Sequence, residues 1–248
     1  MLSWGWRHWF PGHRSDLTAL YLTESLRNFG FALVGIFIPI YIFQLTGNFY
    51  YLPLYYLIFS GVAVLSLLPV SSLLPRVGIA RSVFFSNLLR IAAFALLLAA
   101  PLAHPLILLA AVMEGFLIPT YWIPYHFIYT KEGRVGFYGR EIGLMDLFGQ
   151  SVRALAPLLG GLVILFFDFP ALYLLAIIVV LLSSLPLSLA GDHLSFTEFS
   201  WKRVLSGLFS RPWRLFLIGY SGLGAEFAIT GIFWPLFLFG IAGSFATL

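Results

Sequence analysis

The stretch LYLTESLRNFGFALVGIFIPIYIF, Leu20 to Phe43, sets two charges, Glu24 and Arg27, at the head of a run that is otherwise almost entirely apolar. The hydrocarbon core of a bilayer is about 30 Å thick, and about 20 apolar helical residues cross it. This run is long enough, and comparable runs recur along the chain, separated by short polar breaks. Across all 248 residues, 60% are hydrophobic and 10% charged, against about 25% charged in a soluble domain. So few polar side chains cannot cover the cores that the apolar ones would build, so lipid has to take the place of water. Helices are expected rather than a barrel, because runs such as LLAIIVVLLSSLPLSLA, Leu174 to Ala190, are apolar on every side and lack the alternation of a barrel strand. The expectation is an all-α, polytopic transmembrane helical bundle.

Seven membrane spans are predicted, at 19–45, 50–74, 83–103, 106–129, 142–167, 171–190 and 215–240. The breaks between them, such as TGN, AHP and DFP, carry turn chemistry. The cations sort between them: Arg7 and Arg14 precede the first span, Arg76 and Arg81 follow the second, Lys131, Arg134 and Arg140 follow the fourth, and Lys202, Arg203, Arg211 and Arg214 follow the sixth. The other three connections hold none. The positive-inside rule then puts the N-terminus, the basic loops and the 191–214 linker in the cytoplasm of a cell with a plasma (inner) membrane. Residues 1–18 mix Trp, Phe, Arg and His, which suits a segment lying at the headgroup level, and no signal-peptide pattern is read there. The linker reads as an interfacial helix or a disordered connector. The absence of cysteine excludes disulfides and thiolate metal sites. The net charge of +4 is spread over helix ends rather than gathered in one patch, which argues against nucleic acid as a partner.

An internal repeat organises these spans. Residues 31–43, FALVGIFIPIYIF, and residues 227–239, FAITGIFWPLFLF, agree without a gap at seven of thirteen positions. Two apolar helices match at some positions by chance. Gly35 with Pro39 and Gly231 with Pro235, however, keep one spacing in residues that weaken or kink helices. Both copies start on the same side by the charge rule, so the repeat is parallel and its period encloses six spans. The expected organisation is an interfacial segment (1–18), a six-helix half (19–190), a cytoplasmic linker (191–214) and the first helix of a second half (215–248), whose remainder is expected in the full-length protein.

Local patterns then resemble the major facilitator superfamily. LLPRVGIARS, with Arg76, Gly78 and Arg81, is similar to that family's basic loop between its second and third helices, with Ser71 where the motif has its leading Gly and Pro75 where it has Asp. YGREIGLMDLFG, with Arg140, resembles the entry to the fifth helix. RALAPLLGG resembles the Gly-Pro-x-x-Gly-Gly element of the same helix, matched by Pro157, Gly160 and Gly161 with Ala156 at the first Gly. The resemblance implies two six-helix halves, alternating access and a solute cavity lined by the first, fourth and seventh helices. Around that cavity it places Glu24, Arg27, Glu114, Tyr121, Tyr125 and Glu226. Its fifth-helix element is associated with antiporters.

Charges inside a span cost about 2.5–3.5 kcal/mol on insertion scales, so they are the default functional candidates. The repeat puts the first helix's entry near Ala19, so Glu24 lies about 8 Å in and Arg27 about 12 Å. Three residues apart, the two share a face and are close enough to pair. Arg27 would then meet either Glu24 or a negative group on the solute. Glu114 has no cation within a helical turn, and it falls within about 40° of Tyr121 and Tyr125 on one helical face. That stripe suits a cavity wall or a proton carrier, as against a protonated Glu bonded to a backbone carbonyl. His126 reads as interfacial. Asp146, Gln150 and Arg153 form a stripe that could tie helices together, and Arg90 could reach the surface or pair with a nearby acid. Pro157, Gly160 and Gly161 read as a packing seam.

These readings predict a secondary transporter that moves a small solute, with protons as the expected coupling ion, an efflux antiporter being one form of it. No cofactor or metal is expected. The alternatives are a non-transporting or half-size membrane scaffold and, less favoured, an intramembrane enzyme. No hydrolase or metalloprotease motif is present, and Glu114 and His126 are too far apart along one helix to form a single acid–base site.

Overall fold

The computed structural model describes residues 15–132, 138–190, 206–207 and 210–242. The N-terminal interfacial segment up to residue 14, and most of the linker, lie outside the described residues. Among those described, the chain is helical with no strand. The elements are α1 (Ser15–Gly35), α2 (Ile38–Thr46), α3 (Tyr51–Val77), α4 (Ile79–Ala99), a 3₁₀ turn (Ala100–Leu102), α5 (Pro105–Glu132), α6 (Tyr138–Leu182) and α7 (Leu185–Ala190). They are followed by α8 (Arg211–Ala228), a π-helical turn (Ile229–Phe233) and α9 (Trp234–Ala242). Among the described residues, six helices are long and apolar enough to cross a membrane.

One of the six, from Gly149 to Leu187, is 39 residues long and contains the break predicted at DFP. Asp168 there has φ 69° and ψ 175°, outside the helical region. The contacts of α1 and α2 show what the break does. Asn28 lies beside Gly149, Leu33 and Phe37 beside Gly160, and Tyr41 beside Phe169. Beyond Asp168 the order inverts: Tyr41 meets Tyr173, with ring centroids 5.4 Å apart, and Gly30 meets Val180. The chain therefore reverses at Asp168, and both arms of α6 run along α1 in opposite directions. Polar side chains tie α4 to the turn between α6 and α7, since Asn87 donates to Ser183 Oγ (3.1 Å) and Ser184 Oγ (2.9 Å).

The packing seam expected at APLLGG is present at Gly160. A side chain there would run into the Leu33 carbonyl oxygen and the Phe37 ring, so α6 approaches the backbone of α1 directly. Gly115 plays the same part between α5 and α3, where a Cβ would stand 2.7 Å from the Phe59 carbonyl oxygen. Pro157 and Gly161 flank the α6 seam, half-buried. The core runs through Leu33, Phe37, Ile40, Phe94, Leu97, Ile107, Leu172 and Tyr173. The outward faces are apolar as well, with Val64, Leu65, Phe166 and Phe167 at least 70% exposed. Such a surface is suited to hydrocarbon rather than water.

The two repeat copies share a backbone irregularity. In the first copy the helix stops at Gly35 and restarts at Ile38; in the second a π turn ends at Phe233 and the α-helix restarts at Trp234. Ile38 and Trp234 are equivalent positions of the repeat. The cause is local. Pro39 and Pro235 have no N–H to offer the carbonyls of Gly35 and Gly231 four residues back, and their rings crowd those carbonyls. The first copy tightens, with Phe37 N–H bonding Val34 O at 2.9 Å, whereas the second loosens into the wider π turn. In both copies the glycine leaves room for a ring one turn earlier: a Cβ on Gly35 would stand 3.3 Å from the Phe31 ring, and one on Gly231 would stand 3.3 Å from that of Phe227.

Candidate functional site

Charged and polar side chains from three helices meet inside the apolar bundle. From α1 come Thr23, Glu24, Arg27 and Asn28, two neighbouring pairs one turn apart and so on one side of the helix. From α5 come Glu114 and Tyr121, two turns apart, and from α4 comes Arg90. All but Asn28 are buried.

Glu24 and Tyr121 form one end of the cluster. Tyr121 O–H donates to Glu24 Oε2, and Asn28 Nδ2 donates to Glu24 Oε1 at 3.0 Å, so each carboxylate oxygen has a partner. Arg27 does not close an ion pair on Glu24, contrary to the expectation from their spacing. Its guanidinium carbon lies 3.3 Å from the centroid of the Tyr121 ring. Tyr121 thus joins the two through its two chemistries, the phenol O–H on the acid and the ring face under the cation. Both α1 residues engage one aromatic of α5, and Arg27 acts on Glu24 through its charge.

Arg90 and Glu114 form the other end, with Nη1 3.2 Å from Oε2. Glu114 therefore has a cation, supplied by a different helix. The Arg90 guanidinium carbon also lies 4.4 Å from the centroid of the Phe31 ring of α1. The two ends act on each other electrostatically: Arg27 feels both Glu114 and Arg90, and Glu24 feels Arg153 as well. On α3, Tyr55 and Tyr56 are within electrostatic reach of Glu114. With two acids and two arginines the buried set is formally neutral, but several polar atoms in it have no hydrogen-bond partner, namely Thr23 Oγ1, Arg27 Nε and Nη2, Arg90 Nε and Nη1, and Glu114 Oε1.

Of the other predicted residues, Tyr125 is buried and stacks on Tyr121 (5.8 Å), while Trp122 stacks on His126 (5.6 Å), which is itself exposed. Glu226 is exposed and accepts from Thr230 of its own helical stretch at 3.2 Å, apart from the buried set. Arg76 and Arg81 are exposed on either side of Gly78, whose φ of 89° makes the α3–α4 turn. Arg153 is exposed on α6. Arg140 and Asp146 lie in the N-terminal part of α6, and their side chains fall outside the described residues.

Of the two alternatives read for Arg90, the surface or a nearby acid, the second holds, with Glu114 as the acid; sequence reading did not name that partner, and it missed Asn28 and Thr23. A signal was available in α4, where Ser82, Ser86 and Arg90 recur every four residues with Asn87 beside them, a polar stripe on an otherwise apolar helix. Among the described residues no group of three His, Asp or Glu could hold a metal ion. No known protein-family profile matches the chain, and no curated protein is found to be similar to it.

Proposed function

We propose that this chain is part of a secondary transporter resembling the major facilitator superfamily, moving a small solute across a plasma membrane by alternating access with protons as the coupling ion. The observation that carries the reading is the buried set Glu24, Arg27, Arg90, Glu114 and Tyr121. Intramembrane charge is costly, and such residues mark substrate and ion pathways. A purely structural tie would fill its hydrogen-bond valences, whereas this one leaves a carboxylate oxygen and several guanidinium nitrogens open. The reversal at Asp168 supports taking the two arms of α6 as separate spans, which makes seven crossings with the N-terminus cytoplasmic. The break shared by the two repeat copies supports α8–α9 as the first helix of a second, parallel half. Glu114 carries the proton in this reading, and Tyr121 and Tyr125 face the solute.

The test is reconstitution of the full-length protein into liposomes that enclose a pH-sensitive dye, followed by addition of a panel of small acids, amines and neutral solutes. Solute-dependent proton movement is expected for at least one class, and Glu114→Gln is expected to abolish it. Proton movement that is absent for every class, or unchanged by Glu114→Gln across pH, would remove the coupling assignment.

A further inference from the structure

Within the buried set, the acids and the arginines are satisfied unequally. Both oxygens of Glu24 have donors. Arg27 is 4% exposed, yet its Nε and Nη2 have no partner. These two nitrogens lie on the same edge of the guanidinium, where their N–H bonds run side by side. That edge matches the two oxygens of a carboxylate or phosphate, the bidentate geometry in which Arg binds most strongly. The Tyr121 ring holds the plane of the group, so the edge is fixed in direction. Arg90, 7% exposed, brings a second positive charge close enough to act on Arg27, and its Nε is likewise unpartnered. Two like charges in a low-dielectric core repel, and an added anion beside them would relieve the repulsion. Of the acids described near them, Glu24 is committed to Tyr121 and Asn28, while Glu114 is held to Arg90 through Oε2 and keeps Oε1 open.

We propose that the free Nε/Nη2 edge of Arg27, with Arg90 beside it, is the anchor for an oxyanion, and that the solute is a small soluble organic carboxylate or phosphate. This rests on the transport reading and narrows it. Arg27 is the binding residue, Arg90 supplies the second charge, and Tyr121 is a positioning residue acting through Arg27.

The experiment uses the full chain purified in a neutral maltoside detergent. Its thermal unfolding midpoint is titrated with benzoate, citrate and inorganic phosphate, against chloride at matched ionic strength. A parallel arm adds phosphatidylglycerol to the micelles without any soluble oxyanion. At least one soluble oxyanion is expected to raise the midpoint saturably where chloride does not. Arg27→Lys keeps the charge and loses the fork, and is expected to weaken that saturation about tenfold. Tyr121→Phe keeps the ring under Arg27 and is expected to retain most of the affinity, while Tyr121→Leu is expected to lose it.

The inference is overturned if no soluble oxyanion gives a saturable shift, if Arg27→Lys saturates like the parent, or if phosphatidylglycerol alone gives the shift. Arg27→Lys keeps the buried charge, so the matter is decided without a variant that removes it. The two readings fail separately. Saturable binding without solute-driven proton movement in liposomes removes the transport reading and leaves the oxyanion site. Proton movement driven by amines or neutral solutes, and untouched by Arg27→Lys, does the reverse.

Discussion

The stretch α1–α2 and its repeat copy α8–α9 carry the same Gly, Pro and Phe at the same spacing and break at the same place, but they live in different surroundings. The first copy is packed: Leu33, Val34, Phe37, Ile38 and Ile40 are buried in the core, with Leu33 and Phe37 against Gly160 of α6. The second copy buries Ile232 and Pro235 near its break, where Phe233 stacks on Phe49 at 6.4 Å, and it exposes nearly everything before that. Opposite Glu24 and Arg27 in the repeat stand Tyr220 and Leu223, which are 61% and 62% exposed. The break is therefore a property of about ten residues of local sequence. Burial is a property of the neighbours: Glu24 and Arg27 are surrounded by them, whereas Glu226 of the second copy is exposed.

The sharpest way to test this contrast is to remove one charge from each side. Arg90→Ala leaves Glu114 buried and unpaired, and should cost about 3–5 kcal/mol of stability in detergent unfolding. Glu226→Ala on the exposed helix should stay within about 0.5 kcal/mol. The double variant Arg90→Met with Glu114→Gln should recover most of the loss, since it removes both charges together. Next in size is the seam. Gly160→Leu drives a side chain into the α1 backbone and should cost about 3 kcal/mol, whereas Gly222→Leu meets no neighbour and should be near neutral, as read by the same unfolding curves.

Smaller again is the phenol. Tyr121→Phe removes a bond to a buried carboxylate and should cost about 2 kcal/mol, while Tyr220→Phe in the second copy should cost nothing measurable. The smallest expected change probes the shared break itself. Pro39→Ala and Pro235→Ala each restore an N–H, and spin-label distances across the break should show both copies becoming regular, with stability altered by less than about 1 kcal/mol. If Pro39→Ala leaves the first break in place, packing and not proline holds it there.

What could be read from the residues alone follows the range of the physics involved. The apolar runs, the break at DFP, the repeat and the Gly160 seam are all encoded within one helix or one turn. Helical periodicity placed Glu114, Tyr121 and Tyr125 on one face, and the two tyrosines do stack. It said nothing of which helix that face meets. Glu24 and Arg27, adjacent on α1, were expected to pair, but each turned to Tyr121 across the helix boundary. Glu114 has no cation within a turn on its own helix and pairs with Arg90 on α4. Spacing along a helix fixes which side chains are neighbours; partner choice between helices depends on crossing positions such as Gly115 and Gly160, where close approach sets the register of everything above and below.

The aromatic ladder at the end of α5 has a practical consequence. Trp122 lies 5.5 Å from Tyr121, 5.2 Å from Tyr125 and 5.6 Å from His126, ring centre to ring centre. An indole in contact with the residue that bridges Glu24 and Arg27 is a built-in optical reporter. With the other six of the seven tryptophans replaced by Phe, its emission would follow any rearrangement of Tyr121 in real time, with no dye attached.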